Sequence, residues 1–219
     1  MHKNQDTRWS KENVLTFKDH WKAVTIPVNI TLDHRQTTLP LDQVLSLIRS
    51  SEKIAVGDCL CRSDLQNCDF PRRVCLGLNM TAIKTVDAGK TEFISKSEAE
   101  KIVLDTHQKG LLHLALYHPD EDETNIEGIC GCCPCCCSAL HGLLRMNMQD
   151  LLKPSPYLSI HDPKKCTNCG ECTSHCYFQA RTLSEGGDLI YNSTYCFGCG
   201  LCVTRCPEDA IIMDKRLLS

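Results

Sequence analysis

A cysteine motif occurs twice near the C-terminus of this chain and sets strong limits on its fold. Cys166 begins a run with the spacing C-x2-C-x2-C-x3-C, and Cys196 begins a second run with the same spacing. In each run a glycine follows the second cysteine, Gly170 in the first and Gly200 in the second. Thiolates at this spacing are typical of loops that wrap a cubane iron–sulfur cluster, and glycine lets the backbone approach it closely. The repeat therefore predicts two such clusters.

These runs make residues 157–219 similar to a bacterial-type two-cluster ferredoxin. The resemblance implies that the fourth cysteine of each run binds the cluster of the other run. The ligand sets that it implies are Cys166, Cys169, Cys172 and Cys206 for one cluster, and Cys196, Cys199, Cys202 and Cys176 for the other. The family has proline after the fourth cysteine, which Pro207 matches and Tyr177 does not. Zinc sites typically use C-x2-C pairs, so four cysteines in one short run disfavour zinc here.

Composition narrows the function classes further. A net charge of −3 and an aromatic content of 5% disfavour a nucleic-acid partner. The sequence contains no apolar run long enough for a membrane span, and its polar start lacks the apolar segment of a signal peptide. The 18 cysteines are therefore expected to bind metal in a reducing, anaerobic cytoplasm rather than to form disulfides.

The predicted fold class is α+β, with a small ferredoxin-type (βαβ)2 dicluster domain preceded by a mixed α/β cysteine-rich domain. The predicted divisions are an arm with an edge strand over 1–39, the cysteine-rich domain over 40–153 and the ferredoxin domain over 157–219. Apolar periodicity in the middle division predicts a helix from Pro40, a strand over 53–56, a helix over 70–84 carrying Cys75, a helix from the capping box Ser97–Glu100 to Gly110, a strand over 111–117 and a helix over 138–152. In the last division, strands are expected over 157–160, 181–184, 189–192 and 211–214, with helical turns over 176–180 and 206–210.

Ten further cysteines precede the ferredoxin repeat, and that many idle thiols would be an oxidation liability. They predict at least one additional iron–sulfur cluster. Adjacent cysteines usually point in different directions, so the run over 132–137 is expected to give it only two or three thiolates. The candidate ligands are Cys59, Cys61, Cys75, Cys130, Cys132, Cys133, Cys135, Cys136 and Cys137, with Cys68 ranked last. The alternatives are a second additional cluster or an unusual larger one, and zinc or a labile metal store. Arg62, beside Cys61, is a candidate donor to a cluster sulfur.

A wider resemblance covers residues 40–219. The segments Cys59–Arg62, Cys68–Pro71 and Ile129–Cys137 are similar to those of a set of iron–sulfur proteins of anaerobic bacteria and archaea. The resemblance implies an anaerobic redox role. We expect a protein that relays single low-potential electrons to or from a redox partner protein or an oxidoreductase complex, rather than a stand-alone enzyme. The alternatives are a reductase with substrate at an open iron of the N-terminal cluster, and a metal or cluster carrier.

Overall fold

The computed structural model describes residues 12, 14–15, 22–26, 43–117, 126–148 and 151–216. Within these residues, a seven-stranded sheet with helices on both faces is followed by a smaller module of two two-stranded sheets. This arrangement confirms the predicted α+β class. Most of the predicted arm over 1–39, and the predicted helix start at Pro40, lie outside the described residues.

The larger sheet is built from seven strands in the order β4-β2-β3-β6-β5-β1-β7. The strands are β1 (Lys22–Ile26), β2 (Ile54–Asp58), β3 (Arg73–Leu78), β4 (Glu92–Phe93), β5 (Leu112–Tyr117), β6 (Gly128–Cys132) and β7 (Leu152–Lys153). The helices of this part are α1 (Gln43–Ser50), α2 (Leu60–Leu65), α3 (Asn79–Asp87), α4 (Lys96–Gln108) and α5 (Ser138–Met146). Neighbouring strands are antiparallel except β1 and β7, which are parallel.

The two faces of the sheet have different coverings. One face packs against the apolar stripes of α1 and α4, where Val44, Ile48 and Val103 join Leu76 and other strand residues in one core. Because successive strand residues point to opposite faces, the cysteines of β3 and β6 lie on the other side. That side also carries α3 and α5. The sheet therefore separates an apolar core from a face rich in thiols.

The position of Cys75 shows that the helix predicted over 70–84 is wrong in its first half. Cys75 lies in β3, and the helix begins only at Asn79. The buried residues Val74, Leu76 and Leu78 alternate along this segment, which is the period of a strand. The pairing of β3 between β2 and β6 fixes that conformation. Cys75 therefore faces Cys130 across the sheet instead of sharing a helical face with Ala82.

Two other predicted elements differ from the structure in their limits, and a third differs in its place in the sheet. The capping box that starts α4 is formed by Ser95 and Glu98, not by Ser97 and Glu100. The helix predicted over 138–152 ends at Met146, where Asn147 takes a left-handed conformation. The strand predicted at the sheet edge occurs as β1, yet β5 pairs with one side of it and β7 with part of the other. The helix α1 and the strands β2 and β5 agree with prediction.

The C-terminal module contains β8 (Tyr157–His161), β9 (Arg181–Leu183), β10 (Leu189–Tyr191) and β11 (Ile211–Lys215), with the short helices α6 (Glu171–Ser174) and α7 (Leu201–Thr204). The predicted hairpin is confirmed, because β9 and β10 pair antiparallel. Gly170 and Gly200 precede α6 and α7 with φ of 80° and 77°, values that glycine adopts readily. Both helices lie before the fourth cysteine of their run. The turns predicted over 176–180 and 206–210 occur as single turns, in which the Gln179 amide donates to the Cys176 carbonyl oxygen at 3.0 Å and the Asp209 amide to that of Cys206 at 3.3 Å.

The module packs directly against the larger sheet. Phe178 and Leu201 share one apolar cluster with Leu112 of β5 and Leu140 of α5. The Tyr177 hydroxyl donates a hydrogen bond of 2.7 Å to the carbonyl oxygen of Gly110, just before β5. Tyr177 stands where the ferredoxin pattern has proline, and this contact gives the departure a structural role.

Candidate functional site

The structure brings each predicted set of ferredoxin cysteines around its own cavity. Cys166, Cys169 and Cys172 line one cavity together with Cys206 from the other run. The second cavity is lined by Cys176 from the first run and by Cys196, Cys199 and Cys202. Each cavity thus combines three cysteines of one run with the fourth cysteine of the other. The donor set fits a cubane cluster in each place.

A buried cation lies beside these cavities. Arg181 is 1% exposed, and its Nε and Nη1 atoms have no hydrogen-bond partner among the described residues. Its guanidinium opposes the rise in pKa that burial imposes on Cys172 and Cys202, which line different cavities. A buried arginine without an anionic partner is costly, because its charge has lost the solvation of water. Anionic clusters in the neighbouring cavities would supply that partner.

The ten N-terminal cysteines separate into two groups. Cys130 and Cys132 face one side of β6, whereas the next cysteine, Cys133, belongs to the loop that follows. One group consists of Cys68, Cys133, Cys135 and Cys136. The other six cysteines line a single cavity: Cys59, Cys61, Cys75, Cys130, Cys132 and Cys137. The single third site predicted from sequence would have drawn thiols from both groups.

The six thiols of the second group, here called the thiol ring, form a continuous series of contacts that starts at Cys61 and ends at Cys137. Cys59 contacts Cys61 on one side and Cys75 on the other. Cys75 Sγ lies 3.7 Å from Cys130 Sγ, and the chain of contacts continues through Cys132 to Cys137. Ser138 brings the two ends together, because its hydroxyl lies 3.8 Å from Cys61 Sγ.

The cavity inside the thiol ring is large. Its volume is about 610 Å³, and Leu114 and Leu116 of β5 form part of its wall. Thr81 and Thr85 of α3 also line it, and its charged groups are Asp58, Arg62, Lys90 and Glu127. The contact with Cys61 lowers the pKa of Cys59, but the contact with Cys75 and burial outweigh it and raise that pKa to about 12. Cys59 would therefore bind as a thiolate only when a metal compensates its charge.

The first group is here called the thiol tetrad, and Arg62 lies between it and the ring. Arg62 is 1% exposed, and its guanidinium donates to Cys133 Sγ at 3.4 Å and to the Gly131 carbonyl oxygen at 2.9 Å. Contact with Cys135 and the charge of Arg62 lower the pKa of Cys133 to about 5. Arg62 thus contacts a cysteine sulfur, and its donation to a cluster sulfur stays a prediction.

Sequence reasoning ranks one member of these sites last and misses another. Cys68 is the lowest-ranked candidate ligand, yet it belongs to the tetrad, because the loop after α2 brings it beside the loop after β6. The sequence marks this position only by the short segment Cys68–Pro71. Arg181 carries no motif signal, and only its burial between two thiol-lined cavities distinguishes it.

Comparison with known proteins identifies the C-terminal module. Residues 165–211 match the family described as a 4Fe-4S dicluster domain. This match confirms the predicted two-cluster ferredoxin resemblance, and with it an iron–sulfur electron-transfer role for this part of the chain. The ten N-terminal cysteines, which lie between positions 59 and 137, are outside the matched residues.

Relatives of known name share short segments with the chain. Over 51 residues it is 45% identical to pyruvate synthase subunit PorD of Thermotoga maritima, which covers 23% of the chain and 50% of that relative. Over 52 residues it is 36% identical to PorD of Methanocaldococcus jannaschii, covering 24% of the chain and 60% of the relative. An archaeal-type glutamate synthase (NADPH) of Dehalococcoides mccartyi is 30% identical over 66 residues, covering 30% of the chain and 13% of that relative. The chain therefore spans about half the length of the Thermotoga relative.

Proposed function

We propose that this protein relays single low-potential electrons between a redox partner and a metal centre in its own N-terminal part. The observation that carries the proposal is the pair of cavities that each combine three cysteines of one run with the fourth of the other. When bound, a 4Fe-4S cluster supplies reversible one-electron chemistry. The eight cysteines would hold the two clusters, and Arg181 would balance part of their negative charge.

The position of the two cavities suggests the direction of the relay. Cys169, which lines the first cavity, is exposed, and the adjoining β9–β10 hairpin carries the exposed side chains of Leu183 and Ile190. None of the four cysteines that line the second cavity is exposed, and Phe178 and Phe197 stack beside it with ring centroids 4.3 Å apart. Those rings exclude water. Electrons would therefore enter near Cys169 and pass inward.

The second cavity also adjoins the thiol ring. Cys199 and Phe197 of the dicluster domain pack in the same apolar cluster as Cys132 and Cys137 of the ring. We propose that the ring holds at least one additional iron–sulfur cluster, which would be the inner end of the relay. Six thiols in contact around one cavity provide enough ligands for it.

Paired alanine variants test the ligand scheme in protein purified without oxygen. In Cys169→Ala/Cys206→Ala the two lost thiols come from different runs but from one proposed cluster. One of the two low-potential EPR signals should survive in this variant. In Cys169→Ala/Cys176→Ala both lost thiols come from one run but from different proposed clusters, so both signals should be lost. The reverse pattern would overturn the exchange of fourth ligands between the runs.

The proposed ring cluster is tested by counting iron and acid-labile sulfide per chain. Two cubanes account for about eight irons, so a total clearly above that number is expected. Cys59→Ala/Cys130→Ala should lower the count towards about eight and leave the two dicluster signals intact. A wild-type count that stays near eight would refute the additional cluster without affecting the dicluster assignment.

An oxidoreductase complex is the partner that we propose. Two relatives bear the name pyruvate synthase subunit PorD, which denotes a subunit of a larger enzyme. The exposed apolar residues of the β9–β10 hairpin, beside exposed Cys169, would form part of the docking surface. None of the described helices is long and apolar enough to cross a membrane.

The size of the ring cavity favours a second candidate function, a reductase with substrate at an open iron. A volume of about 610 Å³ lies within the range of small-molecule sites, so a small ligand could share the cavity with a cluster. Adding carbon monoxide or cyanide to the reduced protein tests this function. A new spectroscopic signal that is absent from Cys59→Ala/Cys130→Ala would support it. An unchanged spectrum would favour a closed relay centre.

A further inference from the structure

The thiol tetrad differs from the other cysteine sites in its compactness. The Sγ atoms of Cys68, Cys133, Cys135 and Cys136 all lie within 4.8 Å of one another. Cys68 Sγ lies 3.8 Å from Cys133 Sγ and 3.7 Å from Cys136 Sγ. Cys133 and Cys136 are fully buried, and Cys68 is 9% exposed. Four thiols thus converge on one small volume inside the protein.

These distances match a site for one metal ion. Zinc bound by four thiolates has metal–sulfur distances of about 2.3 Å, and the edges of that tetrahedron are about 3.8 Å long. The two measured tetrad distances agree with this edge length. A cubane cluster has a larger core, so its ligand sulfurs must lie further apart.

The dicluster domain provides an internal comparison. Its eight cysteines are all among the described residues, and they line the two cavities expected to hold cubanes. Among the described residues, the tetrad is the only set of three or more potential ligand residues whose donor atoms are all within 4.8 Å of one another. The same chain therefore has wider thiol sets for its predicted cubanes and a tighter set at the tetrad.

The surroundings of the tetrad suit a closed, permanently charged site. Arg62 donates to Cys133 Sγ at 3.4 Å, which offsets the negative charge of a metal with four thiolates. Asn67 donates to the carbonyl oxygen of Cys135 at 3.1 Å and joins the two loops that supply the ligands. The amide of Cys137 donates to the carbonyl oxygen of Cys133 at 3.0 Å, which forms a tight turn around the site.

We propose that Cys68, Cys133, Cys135 and Cys136 bind a single zinc ion. Four protein ligands leave no open position, which is the coordination of a structural rather than a catalytic zinc site. The ion would tie the loop after α2 to the loop after β6. The latter loop lies between Cys132 and Cys137 of the thiol ring, so zinc would hold these two ring ligands in place.

The test uses full-length protein produced with both iron and zinc supplied and purified without oxygen. Metal analysis should find about one zinc per chain in addition to the iron. Zinc-edge X-ray absorption of the wild-type protein should show four sulfur ligands at about 2.3 Å. This measurement needs no variant, so it remains decisive if the substituted proteins fail to fold.

Two matched serine variants locate the zinc. Cys68→Ser/Cys136→Ser should lose the zinc and keep the iron and sulfide of the dicluster domain. Cys59→Ser/Cys75→Ser, which removes two thiols from the ring, should keep the zinc. Wild-type protein without zinc, or loss of about four irons with their sulfide from the tetrad variant, would overturn the proposal. Failure of the electron-transfer proposal would appear instead as missing low-potential signals, which the zinc count does not report.

Discussion

At the scale of single residues, Arg181 is the side chain that most affects the electrostatics of the dicluster domain. It is 1% exposed, and its Nη2 donates to Ser159 Oγ at 2.9 Å. The guanidinium also lies over the ring of Tyr191, 4.3 Å from its centroid. These contacts fix a positive charge next to cysteines of both cavities, where solvent screens it weakly. Arg181 should therefore favour the more negative, reduced state of both clusters.

We predict that Arg181→Met lowers the midpoint potential of both dicluster signals. Without the buried positive charge, adding an electron to either cluster becomes less favourable. Lys165→Met removes the same charge from an exposed side chain, and its effect should be several-fold smaller because solvent screens it. Redox titration followed by EPR measures both variants. Equal shifts in the two variants would contradict this role of burial.

At the scale of secondary-structure elements, the start of α4 shows which serine and which glutamate form its capping box. Ser95 Oγ accepts a hydrogen bond of 3.2 Å from the amide of Glu98, and the Glu98 carboxylate accepts one of 2.9 Å from the amide of Ser95. A hydrogen bond of 2.7 Å donated by the Ser95 hydroxyl to the Glu98 carboxylate, together with the one from the Ser95 amide, lowers the pKa of Glu98. Glu100 instead accepts a hydrogen bond of 2.7 Å from Arg49 of α1. The second glutamate therefore joins two helices rather than capping one.

We predict that Ser95→Ala destabilises the N-terminal part by about 1 kcal/mol, because an amide at the helix start loses its acceptor. Ser97→Ala is the matched control, since Ser97 lies exposed inside the first turn of α4. Its effect should lie within about 0.5 kcal/mol. Urea unfolding followed by circular dichroism under anaerobic conditions measures both. A larger loss in Ser97→Ala would restore the capping box that the sequence suggested.

At the scale of the whole molecule, two buried histidines lie where the sheet meets the dicluster domain. His107 Nε2 lies 3.0 Å from Thr204 Oγ1 of α7, and His113 Nε2 lies 3.0 Å from Thr106 Oγ1. Each threonine hydroxyl also lies within hydrogen-bond distance of a helix carbonyl oxygen. Burial lowers the pKa of His107 to about 4, aided by Arg205, and that of His113 to about 3, aided by His107.

We predict that these histidines make the protein less stable in acid. Their folded-state pKa values lie below the ordinary value of 6.5, so the unfolded chain binds more protons below that pH. The stabilisation is complete above about pH 6.5 and is lost as the pH falls towards about 4. Each histidine should lower the free energy of unfolding by about 2 kcal/mol as the pH falls from about 7 to about 5.

The measurement is the urea midpoint of wild-type protein and of His107→Gln/His113→Gln at both pH values. The variant has no imidazole to protonate, so its midpoint should fall much less than that of the wild type. Loss of metal in acid affects both proteins and cancels in the comparison. Parallel curves would show that other groups govern the acid response.

The prediction from sequence was most accurate where structure is set by neighbours in the chain. Residues 165–211 match a dicluster domain as expected, and the β9–β10 hairpin forms around the predicted glycine turn. In the N-terminal part the same reasoning placed Cys75 on a helix, because local helix-start signals compete with the pairing of β3 between two strands. Pairing with distant strands prevails there, since it also buries Val74, Leu76 and Leu78.

The two cysteine runs suited to cubane clusters can be recognised from the sequence, because three thiols of each run lie within one short loop. The division of the remaining thiols depends on how distant segments pack together. Cys68 and Cys133 are 65 positions apart, and they meet because the loops after α2 and β6 converge beside Arg62. Cys75 and Cys130 meet because the register of β3 with β6 places them opposite each other. Spacing along the chain encodes local loops, whereas contacts between distant segments depend on how the sheet packs.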